Sequence, residues 1–219
     1  FEIKNIKKPL EIDDFGFLFG PILNSAGRLD DPNIVVQLLT ENNIKKINNI
    51  LEKLIMLNEK RKIIEENILK KIKINKIKNN NIIILDNEII NEGLIGIIAS
   101  NITNYFNKPS VIITKSKNIY KGSARSTENF FIGKYIKRAL DINLLESGGG
   151  HNLAAGFTVK KSNLNKFKNF LIKASNQNYL KFKNKFLSKI SMNAINKNFL
   201  NEFNKIQPYG QKNQNPLFL

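Results

Sequence analysis

Residues 146–159, ESGGGHNLAAGFTV, form the stretch that bears most directly on the fold and the function of this sequence. Gly148, Gly149 and Gly150 lack a Cβ atom, so their backbone can adopt positive φ values and approach a ligand closely. Successive N–H groups of such a loop can converge on an oxyanion. The only histidine of the chain, His151, follows directly and adds a titratable donor. We therefore predict a phosphate-sized glycine loop, with a tight turn beside a core histidine as the alternative.

The composition limits the class of protein. The chain has 219 residues, 42% of them apolar, which suffices for one sizeable core or two small ones. No apolar run approaches the roughly 18 residues of a membrane span, and the absence of cysteine excludes disulfides and thiolate metal sites. We therefore expect a cytoplasmic, monomeric protein with no membrane partner. Because the sequence begins at Phe1 and stops in mid-pattern at Leu219, we also expect a piece of a longer protein.

The charge is strongly positive. Lys and Arg total 35 against 18 acidic residues, and the net charge of +17 favours a polyanion such as nucleic acid. Lys, Asn and Ile are abundant throughout, as an A/T-rich coding sequence would produce, so coding bias is the alternative explanation for part of this charge. Arginine is more informative, because its planar guanidinium binds phosphate through two hydrogen bonds. The arginines are Arg28, Arg61, Arg125 and Arg138.

The N-terminal segment shows little periodicity. Residues 1–20 predict an extended or loop-like structure. Residues 21–29 (PILNSAGRL) predict a compact, turn-rich stretch, in which Asn24 and Gly27 suit unusual φ values.

A long helix is predicted next, after a short one that Asp31 and Pro32 would start. Apolar residues three or four apart over residues 43–73 predict an amphipathic helix of about 45 Å. Its charged residues predict a solvated face, on which Arg61 would form a surface ion pair.

After a polar break at residues 75–81, short strands alternate with helices. This alternation predicts an α/β fold with a mixed, partly parallel sheet flanked by helices. Ligands in such sheets bind at strand ends that carry loops, where the glycine loop falls. The predicted strands are 82–85, 110–114, 120–126 and 154–159, and the predicted helices are 93–105, 130–140 and 164–180.

The third of these strands carries a second phosphate-binding pattern. Residues two apart in a strand share a face, so Ser123 and Arg125 point the same way and Ala124 points to the opposite face. A hydroxyl and a guanidinium on one face can hold a phosphate together. The alternative is an ordinary strand whose polar side chains face solvent.

Taken together, these stretches resemble the C-terminal half of the RecJ family, single-strand-specific exonucleases of the DHH phosphoesterase superfamily. The resemblance covers nearly the whole chain and depends on blocks in the same order. They are Gly20-Pro21 with Asn24 and Ala26-Gly27-Arg28-Leu29; Leu57, Asn58 and Arg61; residues 92–100 (EGLIGIIAS); residues 122–126 (GSARS); residues 149–151 with 154–156; and Pro208-Tyr209-Gly210 with Asn213, Pro216 and Phe218.

The resemblance implies four parts. They are residues 1–42, the end of the DHH domain; 43–78, a connector helix; 79–182, a DHH-associated substrate-binding domain; and 183–219, a helical linker and the start of an OB fold. The sequence departs from the family where arginine is usual, at Ile22 and Asn101, which implies weaker strand binding that lysines partly offset. Further departures are Ile90-Asn91 in place of Trp-His, and Lys212 and Gln214 in place of Gly and Pro.

The resemblance also implies a function, 5′→3′ hydrolysis of single-stranded DNA with Mn²⁺ or Mg²⁺. The metal ligands would belong to a DHH lobe absent from this sequence, so this segment would bind no metal and would be inactive alone. Ser123 and Arg125 would hold a phosphate at the 5′ end with help from Arg28. Residues 148–150 and His151 would close over the scissile region, where His151 would stabilise developing charge or only form a structural hydrogen bond.

Other functions stay open at this stage. A small phosphoesterase of the same superfamily, acting on nanoRNA, bisphosphonucleotides or cyclic dinucleotides, shares the Gly-Gly-His pattern. A nucleic-acid-binding module without chemistry would bind phosphates with steep salt dependence and no preference for an end. The family resemblance implies single-stranded DNA as the partner, with a single-strand-binding protein and a helicase as helper proteins.

Overall fold

The structure is a computed structural model that describes residues 12–71, 81–177, 186–209 and 213–219. The chain forms two compact units, one of residues 15–181 and one that combines 1–14 with 182–219. Predictions for residues 1–11, for most of the polar break at 75–81, for the helix end at 178–180 and for residues 210–212 lie outside the described residues. The four predicted domain boundaries stay predictions.

A five-stranded mixed sheet is the centre of the larger unit. Its strands are β1 (Ile83–Asp86), β2 (Ser110–Ser116), β3 (Ile119–Arg125), β4 (Ser147–His151) and β5 (Ala154–Val159), in the order β1-β2-β3-β5-β4. β1 and β2 are parallel and the other pairs are antiparallel. The predicted α/β fold with a mixed sheet is confirmed.

Helices cover the two faces of the sheet unequally. Helix α5 (Ile95–Phe106) packs over β2 and β3, and its Ile98 and Ile102 lie in one buried cluster with Ile112 of β2. Helices α6 (Ile132–Asp141) and α7 (Lys161–Gln177) share a larger apolar cluster with the side chains of the opposite face. The alternating burial along β3 follows from this, because every second side chain enters that cluster.

Helices replace the loops predicted near the N-terminus. Residues 12–19 form a short helix α1 (Ile12–Asp14) and a π-helical turn (Phe15–Phe19), and residues 20–29 form helix α2 (Gly20–Leu29). The predicted turn is wrong because Ile22 and Ala26 are buried against Leu54 on one face of a helix, and because Pro21 lies in the first turn, where proline is tolerated.

The long predicted helix is present as α4 (Ile44–Lys71), preceded by α3 (Asn33–Thr40). Asp31 Oδ1 accepts the N–H of Asn33 at 2.9 Å, so the aspartate caps the start of α3 as expected, although Pro32 lies before the first helical residue.

Arg61 does not form the surface ion pair that was predicted. It is 6% exposed and donates to Glu65 Oε1 at 2.6 Å and to Asn58 Oδ1 at 3.0 and 3.2 Å. Glu65 also accepts from Asn101 Nδ2 of α5 at 3.4 Å. The prediction is wrong because α5 packs over this part of α4 and removes its polar residues from water.

The smaller unit contains a 3₁₀ turn (Met192–Ala194) and helix α8 (Lys197–Lys205). Its aromatic rings pack together, and Tyr209 Oη donates to the carbonyl of Phe203 at 3.0 Å. That this region begins an OB fold stays a prediction. Across the described ranges, none of the helices combines the length and apolarity needed to cross a bilayer.

Candidate nucleic-acid interface

On one sheet face α5 lies against β2 and β3, and among the described residues no such helix packing is found over β5 and β4 on that face. Antiparallel pairing sets Arg125 opposite Ala154 and Ala154 opposite His151, and the next row joins Ser123, Gly156 and Gly149. Residues directly opposite each other point to the same face of an antiparallel sheet. Arg125 and His151 therefore share a face, two strands or about 10 Å apart. We call this part of the β3, β5 and β4 surface the open face.

Arg125 and Ser123 are in direct contact on the open face. Arg125 Nη1 donates to Ser123 Oγ at 3.2 Å and to the carbonyl of Ala124 at 2.9 Å. These bonds orient the guanidinium and leave its remaining N–H groups and the Ser123 hydroxyl proton for another acceptor. The alternation of β3 predicted this arrangement of side chains; their role in binding stays a prediction.

Arg28 joins them from the end of α2. Its Nη1 donates to the carbonyl of Gly93 at 3.2 Å. A Cβ atom on Gly93 would lie 2.4 Å from the carbonyl oxygen of Arg28, so glycine permits this contact. The absence of a side chain at residue 93 thus allows α2 to bring a second guanidinium to the sheet.

The two guanidinium groups are close enough to affect each other. Burial lowers the pKa of Arg125, and the positive charge of Arg28 lowers it further. Neither arginine forms an ion pair with a carboxylate in the part of the chain that the structure describes. A bound anion would relieve both the repulsion and the loss of hydration, which makes this pair suited to a phosphate.

Small residues keep the space around the pair open. A Cβ atom on Gly96 would lie 3.4 Å from Ser123 Oγ and 3.5 Å from Arg125 Nη2, so the first turn of α5 approaches the pair without a side chain. On the sheet, a Cβ atom on Gly149 would have no neighbour within 4 Å. The backbone at Gly149 is therefore accessible to a ligand.

The predicted glycine loop is wrong, because these residues form the edge strand β4. Gly148, Gly149 and Gly150 pair with β5 in regular antiparallel register, so their N–H groups do not converge on one point. Packing explains two of the glycines. A Cβ atom on Gly150, whose φ is 157°, would lie 2.2 Å from the carbonyl oxygen of Ala154, and one on Gly148 would lie 3.0 Å from Ile136 Cγ2.

His151 ends this strand and is exposed. The N–H of Leu153 donates to its Nδ1 at 3.4 Å, which in the neutral ring leaves the proton on Nε2. The ring is therefore not a core histidine, and in this tautomer Nε2 is a hydrogen-bond donor. Its proposed catalytic role stays a prediction.

The motif analysis missed Lys121, Thr158 and Ser147, which line one further row of the open face. Lys121 was detectable, since it precedes Ser123 by two residues on the same strand. The other two became apparent only from the register of β5 and β4.

No metal site emerges from the described stretches of the chain, where His, Asp and Glu side chains do not gather in groups of three or more. The described residues therefore offer no such set of ligands for a divalent ion, and no chemical step among them is assigned to one. That Mn²⁺ or Mg²⁺ is bound elsewhere in the native protein stays a prediction.

Comparison with known proteins shows what this chain is similar to. Residues 79–177 match the DHHA1 domain, which contains the whole sheet and α5–α7. The single-stranded-DNA-specific exonuclease RecJ of Haemophilus influenzae is 33% identical over 168 residues, which cover 70% of this chain and 28% of that protein. The chain thus spans under a third of the length of this curated relative.

Solved structures give the same result for the fold. RecJ from Thermus thermophilus in complex with Mn²⁺ superimposes with a TM-score of 0.84 at 24% identity, covering 98% of this chain and 32% of that one. Its complex with Mg²⁺ gives a TM-score of 0.83 at 24% identity, covering 98% and 34%. Together with the 33% identity to the Haemophilus influenzae protein and the match to the DHHA1 domain, this fold identifies the chain as RecJ-like, with a DHHA1 domain over residues 79–177.

Proposed function

We propose that this chain is the DNA-binding part of a 5′→3′ single-stranded-DNA exonuclease and holds the 5′-phosphate on its open face. The observation that carries the proposal is the Arg28–Arg125 pair, which has two guanidinium groups, an adjacent Ser123 hydroxyl and no carboxylate partner among the described residues. Buried or half-buried cations without a counterion are costly, so their retention favours a ligand that supplies the negative charge.

The three side chains have distinct roles in this proposal. Arg125, already oriented by Ser123 and Ala124, donates two parallel hydrogen bonds to the terminal phosphate. Ser123 donates its hydroxyl proton to a third oxygen, and Arg28 contributes charge from the side of α2. A terminal phosphate carries more charge than an internal one, so this pair favours a 5′ end.

The next phosphates cross the small residues of the open face toward His151. Gly149 and Gly156 leave the backbone accessible there, and the exposed Nε2 of His151 can donate to a phosphate oxygen. A protonated imidazole would stabilise negative charge that develops on the scissile phosphate.

Hydrolysis itself needs a divalent ion, which supplies an activated water. We place that ion, Mn²⁺ or Mg²⁺, outside this sequence, which accounts for the lack of a carboxylate and histidine cluster among the described residues. The 219-residue chain then binds single strands without cleaving them, and helper proteins such as a single-strand-binding protein and a helicase act on the whole enzyme.

The test is the affinity of the chain for single-stranded oligonucleotides of one sequence that carry a 5′-phosphate, a 3′-phosphate or no terminal phosphate. We expect the 5′-phosphorylated strand to bind about tenfold or more tightly than the other two, because a charge-assisted contact contributes about 1.5–3 kcal/mol. The 3′-phosphorylated strand is the control, since its total charge is the same.

Equal affinity for all three strands would contradict the proposal and favour a module that binds phosphates without recognising an end. Tighter binding of a dinucleotide than of a longer 5′-phosphorylated strand would instead favour a small phosphoesterase.

A further inference from the structure

A cavity of about 340 Å³ lies on the open face beside the arginine pair. Its wall is the segment of residues 92–95 that leads into α5, and its floor is the backbone of β3, β5 and β4. The side chains and backbone that line it include Glu92, Gly93, Ile95, Lys121, Ser147 and Thr158.

The cavity is continuous with the proposed phosphate site. Gly93 lines the cavity, and its carbonyl accepts the hydrogen bond from Arg28. On the other side, Lys121 precedes Ser123 by two residues on the same face of β3, or about 7 Å. The sugar of one nucleotide can span this distance between its phosphate and its base.

The chemistry of the cavity differs from that of the arginine pair. Lys121 Nζ lies 3.1 Å from Glu92 Oε2 and 3.2 Å from Oε1, so a hydrogen-bond donor and a carboxylate acceptor are held side by side. Hydrogen bonds from Ser116 and then Lys121 lower the pKa of Glu92, which keeps the carboxylate ionised. A carboxylate repels a second phosphate, whereas it accepts hydrogen bonds from the amino group of a base.

We propose that this cavity binds the base of the 5′-terminal nucleotide, with Glu92 accepting from an exocyclic amino group and Lys121 donating to a neighbouring acceptor of the base. Ile95 supplies an apolar contact for the ring, and the Thr158 and Ser147 hydroxyls complete the polar edge. This inference rests on the proposed function, because the 5′-phosphate on Arg28 and Arg125 is what brings the terminal base to the cavity.

The proposed hydrogen bonds of Glu92 and Lys121 predict a preference among terminal bases. Cytosine offers an amino donor beside a ring acceptor, which matches Glu92 and Lys121, whereas thymine lacks the amino group. The test uses 5′-phosphorylated single strands that differ only in the first nucleotide, which is dC1, dT1 or an abasic residue. We expect dC1 to bind the chain about fivefold more tightly than dT1 and about tenfold more tightly than the abasic strand.

Variants of the cavity test whether the preference for dC1 over dT1 comes from its side chains. Glu92→Ala should bring the ratio of dC1 to dT1 affinity close to one and leave the preference for a 5′-phosphate unchanged. The matched control is Glu66→Ala, which removes an exposed carboxylate from an ion pair with Lys70 on α4 and should keep both preferences. Thr158→Val changes the cavity without changing charge and should weaken binding of dC1 relative to the abasic strand.

Equal binding of dC1, dT1 and abasic strands, with a 5′-phosphate preference still present, would overturn this inference and leave the proposed function standing. Loss of the 5′-phosphate preference in Glu92→Ala would also overturn it, because Glu92 would then act on the arginine pair. Absence of a 5′-phosphate preference in the wild-type chain would instead contradict the proposed function. Failure of this inference therefore shows when the terminal nucleotide is varied, whereas failure of the proposed function shows when strands with and without a 5′-phosphate are compared.

Discussion

Two buried or half-buried arginine environments in the same unit differ in one respect. Arg61 on α4 is 6% exposed and is satisfied by Glu65 and Asn58. Arg125 on β3 meets another arginine, a hydroxyl and a carbonyl, and in the described part of the chain it has no carboxylate. A compensated arginine thus contributes to the stability of the fold, while the uncompensated Arg125 on the open face is where we propose that an anion binds.

The contrast between the two environments can be tested with the free energy of unfolding in urea, applied to Arg→Met variants. The substitution keeps much of the side-chain volume and removes the charge. If the two environments differ as described, Arg→Met should lower the free energy of unfolding much more at residue 61 than at residue 28 or 125.

Arg61→Met should give the largest effect. The change leaves Glu65, which is 7% exposed, without its cation, and breaking a buried pair in this way costs about 3–5 kcal/mol. The control is the double variant Arg61→Met with Glu65→Met, which should recover much of that loss because no buried charge remains. A loss below about 1 kcal/mol in the single variant would show that the pair is not a structural element.

Arg28→Met should have an intermediate effect. The variant loses the hydrogen bond to the carbonyl of Gly93, which is worth about 1 kcal/mol, and also removes the repulsion with Arg125. Urea unfolding should therefore show a loss of about 1 kcal/mol or less. A loss as large as that of Arg61→Met would place Arg28 with the structural arginines.

A smaller effect is expected from the hydrogen bond between a buried tyrosine and an exposed glutamate, which involves neither arginine. Tyr120 Oη donates to Glu88 Oε1 at 2.7 Å, and this bond lowers the pKa of Glu88 below its usual 4.5, with Lys115 and Lys161 contributing further. A depressed carboxyl pKa contributes stability that is present above 4.5 and is lost as the pH falls through the folded-state value. Tyr120→Phe should therefore destabilise the chain slightly at neutral pH and reduce the acid-induced fall in Tm. An unchanged acid dependence in this variant would show that the bond does not couple to protonation.

Arg125→Met should have the smallest effect on stability, within about 0.5 kcal/mol of the wild type. Its hydrogen bonds to Ser123 and Ala124 are lost, but so are the repulsion with Arg28 and the cost of burying the charge. A loss of about 3 kcal/mol in urea unfolding, the size expected for a broken buried pair, would contradict the distinction between the two arginine environments.

The sequence predicted much of the fold because the apolar patterns of its strands and helices are simple. Periodicity located the start of α4 to within one residue, and the alternation in β3 correctly placed Ser123 and Arg125 on one face. Asn24 and Gly27 suggested a turn, but turn-forming residues are only weak local signals. Tertiary packing of Ile22 and Ala26 against Leu54 decided for a helix there.

The candidate site was less predictable because its parts are far apart in the sequence. Local composition suggested a glycine loop, but the requirement for Gly150 comes from the close approach of Ala154 on the neighbouring strand. Arg61 had suitable neighbours in the sequence at Asn58 and Glu65, but its burial depends on α5. The meeting of Arg28 with Arg125 depends on how α2 docks beside Gly93, which no local pattern encodes.

Whether Arg125 holds a 5′-phosphate is decided by a thermodynamic cycle that combines Arg125→Met with removal of that phosphate. Affinities of wild type and variant are measured for strands with and without it, and Arg138→Met on an exposed position of α6 is the control. We predict that the 5′-phosphate preference falls about tenfold or more in Arg125→Met and persists in Arg138→Met. An equal preference in wild type and Arg125→Met would contradict the assignment of Arg125 to the phosphate.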